Sequence, residues 1–389
     1  MDERSHLRTR VDVSRWMLHF VRDRDPTDRV QDHEDDPIPL EPDAGARAVL
    51  LNIIRETALR AGFSYRAGRP TVYGKSPAVC FTEMPLHSLL RYAGSRPDNR
   101  VGGFLVAVLR EELFKAGARP VIYGASADSG ERGANWLPER ERYRYVAYEP
   151  GKYDWTHERE WRWPARARDR VHVDNVARVC MDVPGMHLFK GAFSSVGFVA
   201  PTEADADELV CELIRLRDRG CDSYGGRVNI GVLEKSFVVV ASRAANLLNA
   251  GKLSDCTMEG LPAECKYPVA LEPVTVAAKT RAAAALTKAR EAASRAVQAY
   301  FQRVTDPMRD SSAYVWVETP DGRRAEVRAL VEAEAAYACE GGYVINGFRE
   351  GLATKLGDLY GPQEAAASAA AIVLEEQLGI ETYVRHRWD

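Results

Sequence analysis

The segment DWTHEREWRWP constrains the fold more than any other stretch of the chain. Trp161 and Trp163 stand two residues apart, a spacing that puts both rings on one side of a β-strand, and tryptophan favours strands. Because two exposed indole rings would be costly, we expect them in a core and the strand in a central position. The same alternation predicts that Glu158, Glu160 and Arg162 share the opposite side of the strand.

Patterns typical of strands and of helices alternate along the first three quarters of the chain. Apolar runs bounded by turn formers predict strands at 14–23 and 77–85, and shorter runs such as FLVAVL and VGFVA predict more. Apolar residues at helical spacing predict a helix over 45–62 that ends at Gly62. The segment 125–142 is rich in turn formers and predicts a loop or a partly helical lid. These patterns indicate an α+β fold.

A change in composition near residue 275 divides the chain into two predicted domains, 1–275 and 276–389. The second begins with an alanine-rich helix. Alternating residues around Asp321 and Gly322 predict a β-hairpin, and a helix and a last strand complete a small α+β unit. Its patterns specify a fold and indicate no catalytic site.

Charge, cysteine content and missing motifs argue against several functional classes without excluding their chemistries. The net charge of −3 gives no global basic field for nucleic acid, and seven scattered cysteines fit reduced thiols better than a disulfide framework or a zinc site. The start MDERSHLRTR is not followed by an apolar region, and no apolar run is long enough to cross a membrane, so we expect a cytoplasmic protein. Phosphate-loop, dinucleotide-binding and nucleophile-elbow motifs are missing from the sequence.

Two carboxylates this close together require compensation. Like charges at the spacing of Glu158 and Glu160 raise the pKa of at least one acid unless a cation or a ligand offsets them. One interpretation is a solvated strand on which Arg159 and Arg162 balance the acids. The other is a pair of acids that the chemistry of a substrate requires.

Three segments in order, WMLHFVR, VCFTEMPL and DWTHEREWRW, resemble AbiGi-type abortive-infection proteins. The pattern is also similar, more distantly, to the ADP-ribosyltransferase fold, of which the DarT toxins form one branch. The resemblance covers residues 14–165. It implies a mixed, split β-sheet core surrounded by helices, followed here by the small C-terminal α+β domain.

The resemblance also implies roles for individual residues. Glu160 matches the glutamate that holds the nicotinamide ribose, and Glu158 the position that orients the acceptor, so both are predicted to be catalytic. His19, Arg69 and Thr82 match positions that bind NAD, through the ribose, the phosphates and the second-strand hydroxyl. NAD is then a substrate, and no metal is required.

The function that follows is NAD-dependent ADP-ribosyl transfer by an anti-phage defence effector or toxin. Its acceptor is a nucleic acid or a protein, and its C-terminal domain is expected to bind a phage trigger or a regulatory partner. Two alternatives stay open. One is a non-catalytic sensor or neutralising protein on a transferase-like scaffold; the other is a metal-dependent nuclease that uses Asp154, Glu158 and Glu160, with Lys152 nearby.

Overall fold

The computed structural model describes residues 14–23, 44–66, 69–95, 103–125, 133–149, 154–174, 179–253, 257–271, 273–304, 311–348 and 359–388. These residues belong to two compact units, one drawn from Met1–Leu213 and Gly220–Ala270, the other from Ile214–Arg219 and Leu271–Asp389. The prediction of a mixed α+β fold is confirmed. The described part of the chain contains no helix that is long and apolar enough to cross a membrane.

The strands of the first unit are β1 (Trp16–Val21), β2 (Ala58–Arg60), β3 (Tyr65–Arg66), β4 (Arg69–Pro70), β5 (Ala78–Thr82), β6 (Phe104–Leu109), β7 (Arg119–Pro120), β8 (Ile122–Ala125), β9 (Tyr145–Tyr148), β10 (Glu160–Pro164), β11 (Arg170–Asp174), β12 (Cys180–His187), β13 (Val196–Ala200), β14 (Phe237–Val240) and β15 (Lys266–Pro268). Its helices are α1 (Ala46–Glu56), α2 (Leu86–Ser95), α3 (Arg110–Lys115), α4 (Glu203–Arg219, of which the last turn belongs to the second unit), α5 (Ile230–Leu233) and α6 (Ala241–Asn249). Short 3-10 helices cover Glu139–Arg144, Thr156–Glu158 and Ala263–Cys265.

An eight-stranded mixed sheet organises the first unit, in the order β15-β14-β13-β6-β1-β5-β10-β7. Its pairs are antiparallel except for β13 with β14. Strand β6 is central and reads FLVAVL, and it is apolar on both faces because both are covered. A second sheet has the order β11-β12-β2.

Helix α1 ends earlier than the sequence pattern predicts. The prediction that it runs to Gly62 is wrong, because the helix stops at Glu56 and Thr57 takes a left-handed conformation with φ 59°. Residues Ala58–Arg60 instead form β2 and pair with β12. Pairing with a distant strand therefore overrides the local helical pattern.

The second unit contains α7 (Val276–Arg303), β16 (Ala313–Thr319), α8 (Ala325–Glu332), β17 (Ala336–Ala338), β18 (Tyr343–Ile345), α9 (Tyr360–Leu378) and β19 (Tyr383–Trp388). From β16 onward the order along the chain is β-α-β-β-α-β, and the strands lie side by side as β17-β18-β16-β19, with each pair antiparallel. This is a split β-α-β arrangement. The helices α7, α8 and α9 contribute to one core with one face of this sheet.

Two features of the second unit follow from particular residues. The predicted hairpin around Asp321 is wrong, because the Asp321 carboxylate accepts the backbone N–H of Arg323 at 2.9 Å and a helix, α8, begins there instead of a strand. The alanine-rich helix is confirmed as α7. Its buried alanines, Ala282, Ala285 and Ala289, let it pack closely against α9.

Candidate active site on strands β1, β5 and β10

The three strands that carry the ordered sequence motifs are neighbours in the eight-stranded sheet, in the order β1-β5-β10. Leu18 of β1 pairs with Thr82 of β5, and Thr82 pairs on its other side with Glu160 of β10. Directly paired residues point to the same side of a sheet. The row formed by Leu18, Thr82 and Glu160 therefore defines one face, which we call the glutamate face, and it also carries Cys80 and Arg162.

Glu160 is fixed by the arginine two residues further along its own strand. Its Oε1 accepts from Nε of Arg162 at 2.7 Å and its Oε2 from a terminal nitrogen at 3.3 Å. The Glu160 side chain is 14% exposed and that of Arg162 only 4%. Burial alone lowers the pKa of Arg162, but the Glu160 carboxylate and other neighbours outweigh it, so the pKa is raised and the guanidinium stays charged.

Glu158 does not continue the strand, and the prediction that it alternates with Glu160 and Arg162 is wrong. The Asp154 carboxylate accepts from N–H and Oγ1 of Thr156, at 3.1 and 2.6 Å, and so starts a turn. A 3-10 helix follows over Thr156–Glu158, and Arg159 has φ 45°. Strand β10 begins only at Glu160. The two acids therefore reach the site from a turn and a strand.

Thr82 connects these two segments. Its hydroxyl donates to the backbone carbonyl of Glu158 and accepts from the backbone N–H of Met84 at 3.1 Å. The residue is 2% exposed. The hydroxyl proton is thus used inside the protein, so Thr82 positions the start of β10. Direct contact of Thr82 with NAD stays a prediction that this geometry does not favour.

His19 lies on the other face of the sheet. Alternation along β1 turns it away from Leu18, and its ring lies 5.7 Å from that of Phe81, on the side of the sheet that also carries Trp161 and Trp163. We call this side the tryptophan face. Pairing between β1 and β5 is confined to Leu18 with Thr82, so the strands diverge next to His19. The structure brings Thr82 and Glu160 together and does not bring His19 to them.

The His19 side chain connects β1 to β5. Its Nδ1 lies 2.8 Å from the carbonyl oxygen of Cys80, which requires a proton on Nδ1. Burial lowers the pKa of His19 to about 4, although the hydrogen bond to the Cys80 carbonyl opposes the shift. The imidazole is therefore neutral near pH 7, with a hydrogen on Nδ1 and a lone pair on Nε2.

Arg69 begins β4, which pairs with β3. Its side chain lies outside the described part of the structure, so its predicted contact with phosphates stays a prediction.

Two residues near Glu160 are missed by sequence reasoning. The Tyr123 hydroxyl donates to the carbonyl of Trp155 at 2.9 Å, and burial together with the carboxylates of Glu160 and Glu158 raises the pKa of Tyr123 to about 12. Burial and Glu160 also raise the pKa of the Cys80 thiol well above its ordinary value. Both groups stay protonated near pH 7. Neither has a local signature, because each is separated from Glu160 by tens of residues.

A shallow hollow of about 380 Å³ lies against the tryptophan face, lined by Arg110, Glu111, Phe114, Lys115 and Trp161. It is on the opposite side of β10 from the Glu160 carboxylate. The hollow is open to solvent next to the exposed Phe114 ring, and it encloses neither Glu158 nor Glu160.

The chemistry that the glutamate face supports is that of carboxylates. Cys80 is not a nucleophile, because its thiol is held protonated. Among the described residues, no group of three or more His, Cys, Asp or Glu side chains is arranged to hold a metal ion. Asp154, Glu158 and Glu160 are not such a group among the described residues, and the nuclease alternative stays a hypothesis. The remaining groups for chemistry on this face are the fixed Glu160 carboxylate, the second acid Glu158 and the protonated Tyr123 hydroxyl.

Comparisons with protein-family models, with curated proteins and with solved structures find no match to this chain.

Proposed function

We propose that this protein is an NAD-dependent ADP-ribosyltransferase, acting as a defence effector or toxin on a nucleic acid or a protein. The observation that carries the proposal is the adjacency of β1, β5 and β10. Their motifs are separated by about sixty and eighty residues in the chain, yet Thr82 and Glu160 come into direct register. A mixed sheet with this strand adjacency is what the resemblance to the transferase fold implies.

Glu160 has the central role in this proposal. Loss of nicotinamide from NAD leaves positive charge on the ribose, as in the cleavage of a glycosidic bond. A preoriented carboxylate stabilises that charge as it develops. The ion pair with Arg162 supplies the preorientation, because it fixes both carboxylate oxygens of Glu160.

Glu158 is the proposed base for the acceptor. In the reaction the bond between ribose C1′ and the nicotinamide nitrogen breaks, and its electron pair leaves with neutral nicotinamide. The acceptor's nucleophilic atom then bonds to C1′, and its proton passes to the Glu158 carboxylate. The Tyr123 hydroxyl, held protonated by burial and by the two acids, donates to the Trp155 carbonyl and keeps the turn before β10 in place.

Incubation with labelled NAD and separate DNA, RNA and protein pools tests the proposal. The wild-type chain should transfer label to one pool, and Glu160→Gln and Glu158→Gln should each reduce the transfer by at least a hundredfold. Glu141→Gln is the matched control, because Glu141 is also paired with an arginine, Arg144, at 2.8 Å. Circular dichroism checks that each variant is folded. Absence of label in every pool with folded wild-type protein contradicts the proposal.

One observation favours a second function, a non-catalytic sensor or neutralising protein on a transferase-like scaffold. The polar groups of Thr82 and Glu160 are engaged by Glu158 and Arg162, and His19 is on the opposite face. A scaffold that has lost turnover keeps such internal bonds for stability. Calorimetry with NAD separates the two, because this alternative predicts neither NAD turnover nor a functional requirement for Glu160.

A further inference from the structure

The sheet of the second unit has one face covered by helices and one face that carries aromatic and basic side chains. Val315 and Val317 of β16 and Ile345 of β18 point into the helical core. Alternation therefore turns their neighbours to the other side. We call this side the platform; it carries Tyr314, Trp316 and Glu318 of β16, Tyr337 of β17, Val344 of β18, and Tyr383, Arg385 and Arg387 of β19.

The aromatic rings of the platform are accessible. Tyr337 and Tyr383 are 46% and 39% exposed, and Tyr314 and Trp316 are half-buried. The rings of Tyr314 and Trp316 lie 5.6 Å apart on the central strand β16, inclined by 41°. The helices of the second unit pack on the opposite face of the sheet and do not cover these four aromatic rings. The rings therefore do not belong to the core that the sheet forms with its helices.

Trp316 is held in a fixed orientation. Its Nε1 donates to Oε2 of the buried Glu318 at 3.3 Å, and the residue is half-buried, so part of the indole is accessible to a ligand. Asn346, directly after β18, is exposed and lines a small cavity with Tyr314 and Trp316, and this cavity extends to the buried residues Gln363 and Ala366 of α9. An oriented ring beside an exposed amide can stack on a planar group and hydrogen bond to its edge.

Positive charge adjoins these rings. In the register of β16 with β19, Arg385 pairs with Trp316 and Arg387 with Tyr314. Both arginines are exposed, and the Arg385 guanidinium lies 5.1 Å from the centre of the Tyr383 ring. Two acids adjoin these rings: Glu318 is 7% exposed, and the exposed Glu381 accepts from the Tyr383 hydroxyl. A ligand on the platform meets flat apolar rings and two guanidinium groups, with the Glu381 carboxylate held by Tyr383.

We propose that the platform binds single-stranded nucleic acid. Unpaired bases stack on exposed aromatic rings of a four-stranded sheet, and arginines beside the rings pair with phosphates. Duplexes keep their bases stacked inside, so the platform offers them only its two arginines. The proposal does not depend on the transferase activity, since the platform lies in the second unit and its test requires no NAD.

Fluorescence anisotropy with the full-length chain tests this binding. The probes are short fluorescein-labelled single strands of RNA and of DNA and a duplex of the same length, each without NAD. We expect saturable binding of at least one single strand, which identifies the preferred sugar, and at least tenfold weaker binding of the duplex. Trp316→Ala and Tyr314→Ala should each weaken binding roughly tenfold, the cost of losing one stacked base.

Two further comparisons distinguish the platform from non-specific binding. Replacing both Arg385 and Arg387 with alanine should reduce the slope of log affinity against log salt by about 1.4, since each phosphate contact on a single strand contributes about 0.7. Trp136→Ala in the first unit, where the ring is 86% exposed, is the matched control and should not change the affinity. No binding of either single strand, equal binding of the duplex, or full affinity in folded Trp316→Ala overturns the proposal. Single-strand affinity that falls only in the Trp136→Ala variant also overturns it.

Discussion

The Arg162 guanidinium holds both oxygens of the Glu160 carboxylate, two residues away on the same strand. The same guanidinium donates to the backbone carbonyls of Thr71, Tyr143 and Tyr145, at 3.0, 2.7 and 3.3 Å. One buried cation thus fixes the proposed catalytic acid and connects three other points of the chain. In the proposed function, catalysis and local stability therefore depend on the same residue.

Arg162→Met tests this connection. The substitution leaves the Glu160 carboxylate without its cation and removes the donor to three carbonyls, so the free energy of unfolding should fall by about 3–5 kcal/mol. Urea denaturation measures the change. Arg140→Met, at a side chain that is 86% exposed, should change the same quantity by less than about 1 kcal/mol. Equal effects of the two substitutions would show that the buried pair contributes no more than a surface one.

Thr82→Val separates a positioning role from contact with NAD. Valine leaves the Met84 N–H and the Glu158 carbonyl without the hydroxyl, which should lower the free energy of unfolding by about 1–3 kcal/mol. Because the hydroxyl is already used inside the protein, the affinity for NAD measured by calorimetry should change less than about twofold, or about 0.4 kcal/mol in free energy. A tenfold loss of NAD affinity at unchanged stability would instead assign Thr82 to the cofactor.

The low pKa of the buried His19 ring predicts that the protein loses stability in acid. Above about pH 6.5 the ring is neutral in both the folded and the unfolded chain. As the pH falls toward about 4, the unfolded chain binds a proton that the folded protein does not, so the free energy of unfolding falls by up to roughly 3 kcal/mol. Denaturation with urea across this range measures the decline. His19→Gln should decline less steeply by that amount, and an unchanged pH dependence in this variant would contradict a buried neutral ring.

The positive φ of Glu334 predicts that glycine at this position stabilises the protein. Glu334 follows the end of α8 with φ 55°, and its N–H bonds to the Val331 carbonyl while that of Ala335 bonds to Leu330. This is a helix end that favours glycine. Glu334→Gly should raise the free energy of unfolding by about 1 kcal/mol, and Glu334→Ala should give no such gain because alanine also disfavours positive φ. The melting temperatures of the two variants check the difference, and equal values would exclude relief of backbone strain.

Sequence patterns predict the strands of the candidate site correctly, but they do not predict how its side chains are arranged. Strands β1, β5 and β10 lie where apolar runs and alternating tryptophans place them, because those patterns reflect burial. The hydrophobic pattern does not indicate the turn at Glu158, because that turn depends on the hydrogen bonds from Thr156 to the Asp154 carboxylate. The pattern of alternating residues therefore predicts a strand that begins two residues before the observed start of β10.

Sequence patterns do not show which residues from distant segments lie near Glu160. Tyr123 and Cys80 come close to Glu160 only through the pairing of strands, and the face on which His19 lies depends on the register of β1 with β5. A shift of one residue in that register would exchange Leu18 and His19. The position of His19 relative to Glu160 therefore required the folded sheet.

The rate of nicotinamide release from NAD tests the central claim, that Glu160 stabilises a ribose as it becomes cationic. Mass spectrometry should detect release by the wild-type chain in the presence of its acceptor, and Glu160→Gln should lower kcat by about a hundredfold to a thousandfold with KM changed only a few-fold. The contrary result is release by folded Glu160→Gln protein at the wild-type rate, or no release by the wild-type chain with any acceptor pool.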